Sequence, residues 1–195
     1  IKNPDNHVYA IVAPSIGSQF DYAKTNQVIT GLKHLGFYKV IETALGADMV
    51  AYSETKELVE KGFLTSSCCP AFVAYIKKNF PEIADKVSHN PSPMIALGKF
   101  LKAQDDKAIV VFIGPCVAKK QEAMNDWSLT DYVLTFEEIA AMIISRGYAA
   151  SNIEATLEDQ ASVYGKNFAI GGGVSKAVVQ SLKENGLETV TAKYA

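Results

Sequence analysis

The strongest constraint on the fold is a run of six apolar residues, AIVVFI, at positions 108–113. Continuous β-branched runs of this length are typical of strands that are buried on both faces, as in parallel sheets. The run leads directly into Gly114-Pro115-Cys116, and a helix-like segment follows. Parallel sheets present their binding loops at the carboxyl ends of their strands. The sequence therefore predicts that Cys116 lies in a binding loop.

A second cysteine loop has the same context. The letters TSSCCP at positions 65–70 follow a short apolar stretch, predicted as a strand over residues 63–65, and precede a helix predicted over residues 71–79. Cys68, Cys69 and Cys116 are all the cysteines of the chain. An odd number with two neighbours is a poor disulfide framework, so thiols kept for metal or redox work in a reducing compartment fit better. The alternative is that all three are small buried hydrophobic residues.

The other segments alternate between strands and helices. Strands are predicted at residues 8–14, 37–42, 132–136 and 189–192, and helices at residues 25–35, 48–62, 92–101, 117–122, 137–146 and 174–184. Asp48 is the expected cap of the second helix, and residues 147–166 are expected to be irregular. This alternation predicts an α/β fold of mostly parallel sheet flanked by helices. We expect two lobes, over about residues 1–104 and 105–195.

Composition excludes two classes of partner. The net charge is −2 with mixed signs, so no basic surface for nucleic acid is expected. No apolar window approaches the ~18 residues of a membrane span. The chain begins at Ile1 without a basic and apolar leader, so we expect a piece of a longer cytoplasmic protein.

Several polar residues are candidates for chemistry. A thiolate at the start of a helix is stabilised by free N–H groups, so the two loops could serve one iron–sulfur or zinc centre. Lys119 could reach an anionic ligand beside Cys116, although most such lysines lie on a solvated helix face. Glu54 and Glu57 could relay protons in a cleft, but an exposed helix face is the commoner explanation. The three histidines show no metal-ligand spacing and receive no role.

The two cysteine loops, TSSCCP and GPCVAKKQE, resemble the first two signature motifs of the iron–iron hydrogenase catalytic domain. Other stretches are similar to the same family, and the resemblance covers about the whole chain. These stretches are Ala13-Pro14-Ser15, GADM at positions 46–49 with residues 57–59, Ser88, Ser92-Pro93, and Phe168 with residues 172–174.

The resemblance implies an H-cluster, which is a 4Fe–4S cluster joined through a cysteine thiolate to a two-iron unit with carbonyl, cyanide and dithiolate ligands. Cys69 and Cys116 would then ligate the 4Fe–4S cluster, and Cys68 would pass protons to and from the two-iron unit. The remaining implied roles are proton transfer by Glu54, Glu57 and Ser88, contacts to the cyanides by Pro14, Ser15 and Lys119, and walls of the cavity formed by Phe168 and Val174.

The implied reaction is the reversible combination of protons and electrons to H2, in an anaerobic hydrogen metabolism. The parent protein would be an oxidoreductase of the ferredoxin-type hydrogenase class. Its partners would be H2, protons, and an electron carrier such as ferredoxin or attached iron–sulfur domains.

Three departures from the family pattern bear on these expectations. The third motif, with two more cysteines, does not occur in the 195 residues, and no four-cysteine ferredoxin-like motif precedes the domain. Gly114 stands where catalytic members usually carry methionine. We therefore expect this fragment by itself to be inactive and without cofactor, the H-cluster belonging to the full-length parent.

Alternatives to the enzyme remain open. Gly114 is closer to members thought to sense H2, so the chain could be an H2- or redox-sensing domain of a signalling protein. A cluster-assembly relative is a third possibility, against which the adjacent pair Cys68-Cys69 argues. An α/β binding domain unrelated to hydrogen is the fourth.

Overall fold

The chain folds into two compact units in the computed structural model, which describes residues 1, 3, 5–20, 22–125, 129–147, 149–154 and 161–187. Unit 1 comprises Ile1–Thr43 and Leu97–Gln160, and unit 2 comprises Ala44–Ala96 and Ala161–Ala195. Each unit is built from two segments of the chain, whereas the sequence suggested one division near residue 104.

Unit 1 contains a four-stranded parallel sheet. Its strands are β1 (His7–Val12), β2 (Lys39–Glu42), β3 (Ala108–Gly114) and β4 (Tyr132–Thr135), in the order β2-β1-β3-β4. Strand β3 is buried along almost its whole length, with Val110 and Ile113 fully buried. The predicted α/β class with a parallel sheet flanked by helices is thus confirmed.

The helices of unit 1 begin and end near the predicted positions. They are α1 (Thr25–His34), α5 (Ala118–Asn125), α6 (Phe136–Ser145) and, shared with unit 2, α4 (Pro93–Gln104). The start of α6 is fixed by a capping box, in which Glu138 N–H donates to Thr135 Oγ1 at 3.2 Å and Thr135 N–H donates to Glu138 Oε2 at 2.7 Å.

The described part of unit 2 is mainly helical. Its helices are α2 (Ala44–Lys61), α3 (Pro70–Asn79), α7 (Val163–Lys166) and α8 (Gly173–Glu184). Small side chains on α2 let α8 and the segment before it approach closely, and the core consists of Ala47, Ala51, Phe168, Ala177 and Val178. At the start of α8, a Cβ on Gly173 would lie 2.0 Å from the carbonyl oxygen of Asn167, so only glycine fits there.

Three sequence predictions for local structure need correction. The predicted strand over residues 63–65 is wrong: Thr65 forms only an isolated bridge to Val87, because just two backbone hydrogen bonds join these segments. Helix α2 begins at Ala44, and Asp48 instead accepts a hydrogen bond from Ser162 N–H at 2.9 Å at the start of α7. Residues 147–166 include α7 and a short 3-10 turn, Ala150–Asn152. The predicted strand at 189–192 lies outside the described residues.

Candidate functional site

The carboxyl edge of the sheet in unit 1 carries two of the predicted site loops. Ala13 N–H donates to the carbonyl of Ile113 at 2.8 Å, so the pairing of β1 with β3 continues to the last residues of both strands. Pro14 and Ser15, both half-buried, follow β1 in a 3-10 turn. The loops that begin at Pro14 and at Pro115 therefore leave from neighbouring strands at one edge, as predicted for a parallel sheet.

Cys116 is half-buried in the turn between β3 and α5. Lys119 N–H donates to the Cys116 carbonyl at 3.2 Å, which closes this turn. Lys119 Nζ lies 2.6 Å from Glu122 Oε2, and the two side chains are only 13% and 17% exposed. Lys119 therefore does not lie on a solvated helix face, and it brings a largely shielded positive charge to the helix that follows Cys116.

Gly114 has a neighbour that the sequence did not reveal. A Cβ built on Gly114 would lie 2.5 Å from Cε1 and 2.7 Å from Cζ of Phe112, and 3.3 Å from the Cβ of Ala13. Phe112 is 3% exposed. Residues two apart on a strand share a face, so an aromatic residue two positions before a glycine was the available signal. The Phe112 ring fills the space that a side chain at position 114 would need.

The two adjacent cysteines of unit 2 have different surroundings. Cys69 is exposed and is the N-cap of α3, where its sulfur accepts a hydrogen bond from Phe72 N–H at 3.5 Å. Cys68 is half-buried and packs against the apolar core of unit 2, which includes Phe168. Val174 packs against the same core. The structure thus brings Cys68, Phe168 and Val174 to one apolar cluster.

Glu54 is buried beside the first cysteine loop. It is 2% exposed, and its Oε1 accepts hydrogen bonds from the Ser66 hydroxyl at 2.8 Å and from Ser67 N–H at 3.4 Å. Ser66 Oγ in turn accepts from Cys68 N–H at 3.3 Å. Burial raises the pKa of Glu54 above its ordinary value, and the hydrogen bonds from Ser66 and Ser67 oppose this only in part. The interpretation of Glu54 as part of an exposed helix face is therefore wrong.

Glu57 lies one turn further along α2 and is hydrogen-bonded on both oxygens. Oε2 accepts from the Ser88 hydroxyl at 2.7 Å and from Asn90 Nδ2 at 2.8 Å, while Lys61 Nζ donates to Oε1 at 2.6 Å. Burial by itself would raise the pKa of Glu57, but the hydrogen bonds from Lys61, Ser88 and the His89 N–H lower it. The sequence did not single out Ser66 or Asn90, whose roles depend on loop geometry.

The pKa values of the two carboxyls are therefore shifted in opposite directions, upward for Glu54 and downward for Glu57, although the residues are only three positions apart. Buried Ser88 donates its hydroxyl to Glu57 Oε2 at 2.7 Å, and it also lowers the pKa of Glu54. Glu54, Ser88 and Glu57 thus form a row of polar groups that begins at the loop of Cys68. Such an arrangement suits proton transfer, because one carboxyl holds its proton more readily than the other.

The Lys61→Met variant is expected to raise the pKa of Glu57 towards its ordinary value, because the charge-assisted hydrogen bond is lost. A group with a lowered folded pKa stabilises the fold above its unfolded pKa and loses this effect as the pH falls. The stability difference between the two proteins should therefore be largest near neutral pH. A 13C NMR titration of the Glu57 carboxyl measures the shift. Lys56→Met, which removes an exposed lysine stacked on Tyr52, is the control and should leave this titration unchanged.

The described residues do not by themselves complete a metal centre. Among them, no group of three or more His, Cys, Asp or Glu side chains is arranged to hold a metal ion. A 4Fe–4S cluster is held by four thiolates, and this chain has three cysteines. Each unit thus presents one thiol of the kind that such a cluster uses. In unit 2 it is the exposed Cys69 at a helix start, and in unit 1 it is the half-buried Cys116 in the turn closed by Lys119 N–H.

Among the described helices, none is long and apolar enough to cross a membrane.

Known proteins are similar to this chain in sequence. Iron hydrogenase 1 of Clostridium pasteurianum is 30% identical over 94% of this chain and 38% of its own length. The cytosolic Fe–S cluster assembly factor NAR1 of Candida dubliniensis is 35% identical, over 47% of this chain and 18% of its own length. The chain thus spans well under half the length of these two relatives.

Solved structures give the same picture. An apo [FeFe]-hydrogenase HydA1 variant from Chlamydomonas reinhardtii matches 94% of this chain and 55% of its own chain, with a TM-score of 0.76 and 25% identity. Residues 6–194 match the family described as the iron only hydrogenase large subunit, C-terminal domain. The chain therefore belongs to the iron-only hydrogenase large-subunit family, and it corresponds to the C-terminal domain of that subunit.

Proposed function

We propose that the full-length parent of this chain combines protons and electrons reversibly to H2 at an H-cluster, and that this chain carries part of the cluster site and the proton path. The observation that carries the proposal is the row of groups in unit 2. A half-buried thiol, Cys68, lies in a loop whose Ser66 hydroxyl donates to the buried carboxyl of Glu54. Ser88 lowers the pKa of Glu54 and donates to Glu57 Oε2 at 2.7 Å.

Cys69 and Cys116 would each give a thiolate to the 4Fe–4S cluster. Cys69 caps the N-terminus of α3, where its sulfur accepts a hydrogen bond from Phe72 N–H at 3.5 Å. The other thiolates would come from outside the 195 residues, and the fragment alone would therefore be without its cofactor and inactive. When bound, the H-cluster supplies the redox chemistry and the site at which protons meet electrons.

The residues of this chain would hold and move protons around that site. Cys68 would exchange a proton with the reaction site at its sulfur. Glu54 can carry the proton next, because burial raises the pKa of its carboxyl. The Ser88 hydroxyl would pass the proton on to Glu57, whose lowered pKa favours release towards solvent.

The remaining predicted residues would position the cofactor. Lys119 and the Pro14-Ser15 loop would face the cyanides, since ammonium and backbone N–H groups favour negative ligands. Phe168 and Val174 would exclude water from the cavity. We place the parent in an anaerobic hydrogen metabolism of the cytoplasm, with ferredoxin or attached iron–sulfur domains as electron partners and without a nucleic-acid partner.

A sensory role is the second candidate. It is favoured by Gly114, at the position where catalytic members usually carry methionine. The Phe112 ring occupies the space that a methionine side chain would need there. In that case the parent would bind H2 or report redox state to a signalling module. The similarity to NAR1 proteins covers 47–62% of the chain, and the intact pair Cys68-Cys69 does not favour a role in cluster assembly.

Anaerobic iron reconstitution of the full-length parent and its variants distinguishes the cluster ligands, Cys69 and Cys116, from the proton donor, Cys68. The Cys69→Ala, Cys116→Ala double variant should lose the EPR signal of the 4Fe–4S cluster. Cys68→Ala should retain the signal but lose H2 turnover by at least ~100-fold, as expected for a missing proton donor. Turnover that survives Cys68→Ala, or iron content unaffected by the double change, would contradict the proposal. Wild-type parent that binds H2 without turnover would favour the sensor.

A further inference from the structure

The carboxyl network of unit 2 ends at an imidazole on the protein surface. His89 Nδ1 lies 3.3 Å from Glu57 Oε1 and 3.3 Å from Lys61 Nζ. The side chain of His89 is 77% exposed, whereas that of Glu57 is only 11% exposed. The imidazole thus lies between a largely shielded carboxyl and bulk water, at the Glu57 end of the network.

The loop that carries this imidazole is held on Glu57 by groups other than the ring. His89 N–H donates to both oxygens of Glu57, at 3.1 Å each. The neighbouring side chains, Ser88 and Asn90, also donate to Glu57 Oε2. Replacement of the imidazole would therefore leave the three-residue loop attached to Glu57, and a loss of function could be assigned to the ring.

We propose that His89 is the outer proton carrier of this network, passing protons between bulk water and Glu57. This inference rests on the proposed function and names the group at which the proton path reaches solvent. Inward, the imidazolium gives its Nδ1 proton to a Glu57 oxygen, which leaves a neutral imidazole and a carboxylic acid. The imidazole then takes a proton from hydronium or a buffer acid, and the outward direction reverses both steps. Imidazole suits this role because it exchanges protons near neutral pH.

Two charged groups of α2 lie beside the imidazole. Glu57 Oε1 and Lys61 Nζ are each 3.3 Å from His89 Nδ1. Lys61 Nζ also donates to Glu57 Oε1 at 2.6 Å, so the ring lies against a paired carboxylate and ammonium.

The first test uses this chain. In a 13C NMR titration, the Glu57 carboxyl should show a second, smaller shift at the pH where the His89 ring titrates. His89→Gln should abolish the second shift and leave the main one. His34→Gln, at the exposed end of α1 in unit 1, is the matched control and should retain both. A missing second shift in the wild type, or its persistence in His89→Gln, would overturn the proposal.

The second test uses the cofactor-loaded parent. His89→Gln should lower H2 turnover roughly tenfold in dilute buffer, and added imidazole should restore it. His34→Gln should turn over as the wild type does. Unchanged turnover in His89→Gln, or a loss that imidazole does not restore, would overturn the relay. A wild-type parent with no H2 chemistry would contradict the proposed function, and the NMR titration would still decide whether the Glu57 carboxyl senses the ionisation of His89.

Discussion

The Gly114→Met variant is expected to be less stable than the wild-type chain by about 1–3 kcal/mol, the usual effect of overpacking a core. The new Cβ would meet the Phe112 ring at 2.5 Å, and this ring, which is 3% exposed, cannot move into solvent. Urea denaturation of both proteins measures the difference. The same change at Gly171, where nothing lies within 4 Å of a Cβ, is the control and should alter the free energy of unfolding by less than about 0.5 kcal/mol.

A second variant tests the cause of that loss. Phe112→Ala alone should destabilise the chain by roughly 3–5 kcal/mol, because it leaves a cavity beside β3. Phe112→Ala combined with Gly114→Met should be more stable than the sum of the two changes predicts, since the methionine can occupy the vacated space. Fully additive effects would show that the ring and residue 114 do not compete for space.

This competition gives a physical meaning to the departure at position 114. From the sequence alone, glycine in place of methionine at position 114 is a single substitution that removes one side chain. In the structure, the neighbouring Phe112 side chain occupies the same face of β3, so the two positions depend on each other. A methionine at position 114 is therefore expected to fit only when Phe112 is changed with it.

The sequence was most informative where one physical effect dominated. The run at residues 108–113 was the strongest indication of a buried strand, and β3 extends over Ala108–Gly114. Pro70 after Cys69 marked the first turn of α3, because proline needs no N–H partner there. Both cysteine loops precede helices as predicted, but only the loop of Cys116 follows a strand.

Prediction from sequence failed where the outcome depended on distant partners. The segment at residues 63–65 had the composition of a strand, but pairing is a tertiary property and only one bridge forms at Thr65. The burial of Glu54 could not be read from α2 alone, because its surroundings come from the loop of Ser66 and Ser67. The position of His89 at Glu57 depends in the same way on the fold of the 88–90 loop.

The Glu54→Gln variant is expected to separate stability from activity. Glu54 is an acid whose folded pKa is raised above its ordinary value of 4.5 by burial, so the folded state binds the proton more tightly than the unfolded state. Folding stability from this residue therefore falls as the pH rises from 4.5 through the folded pKa. Glutamine carries no charge and can still accept from Ser66, so the variant should be more stable than the wild type at neutral pH and lose that advantage in acid.

The matched control is Glu57→Gln, for which the sign is reversed. The folded pKa of Glu57 is lowered, so its carboxylate stabilises the fold above the unfolded pKa, and its removal should destabilise the chain at neutral pH. Urea denaturation of all three proteins between about pH 4 and pH 8 measures both effects, over the range in which carboxyls titrate. Two variants that shift stability in the same direction at neutral pH would contradict the assigned environments.

In the cofactor-loaded parent, both substitutions should lower H2 turnover, by roughly 100-fold for Glu54→Gln, because neither amide can carry a proton. A variant that is more stable and yet nearly inactive is the result expected of a residue retained for proton transfer, since an uncompensated buried carboxylate otherwise destabilises a fold. If Glu54→Gln were more stable and fully active, Glu54 would lie outside the proton path.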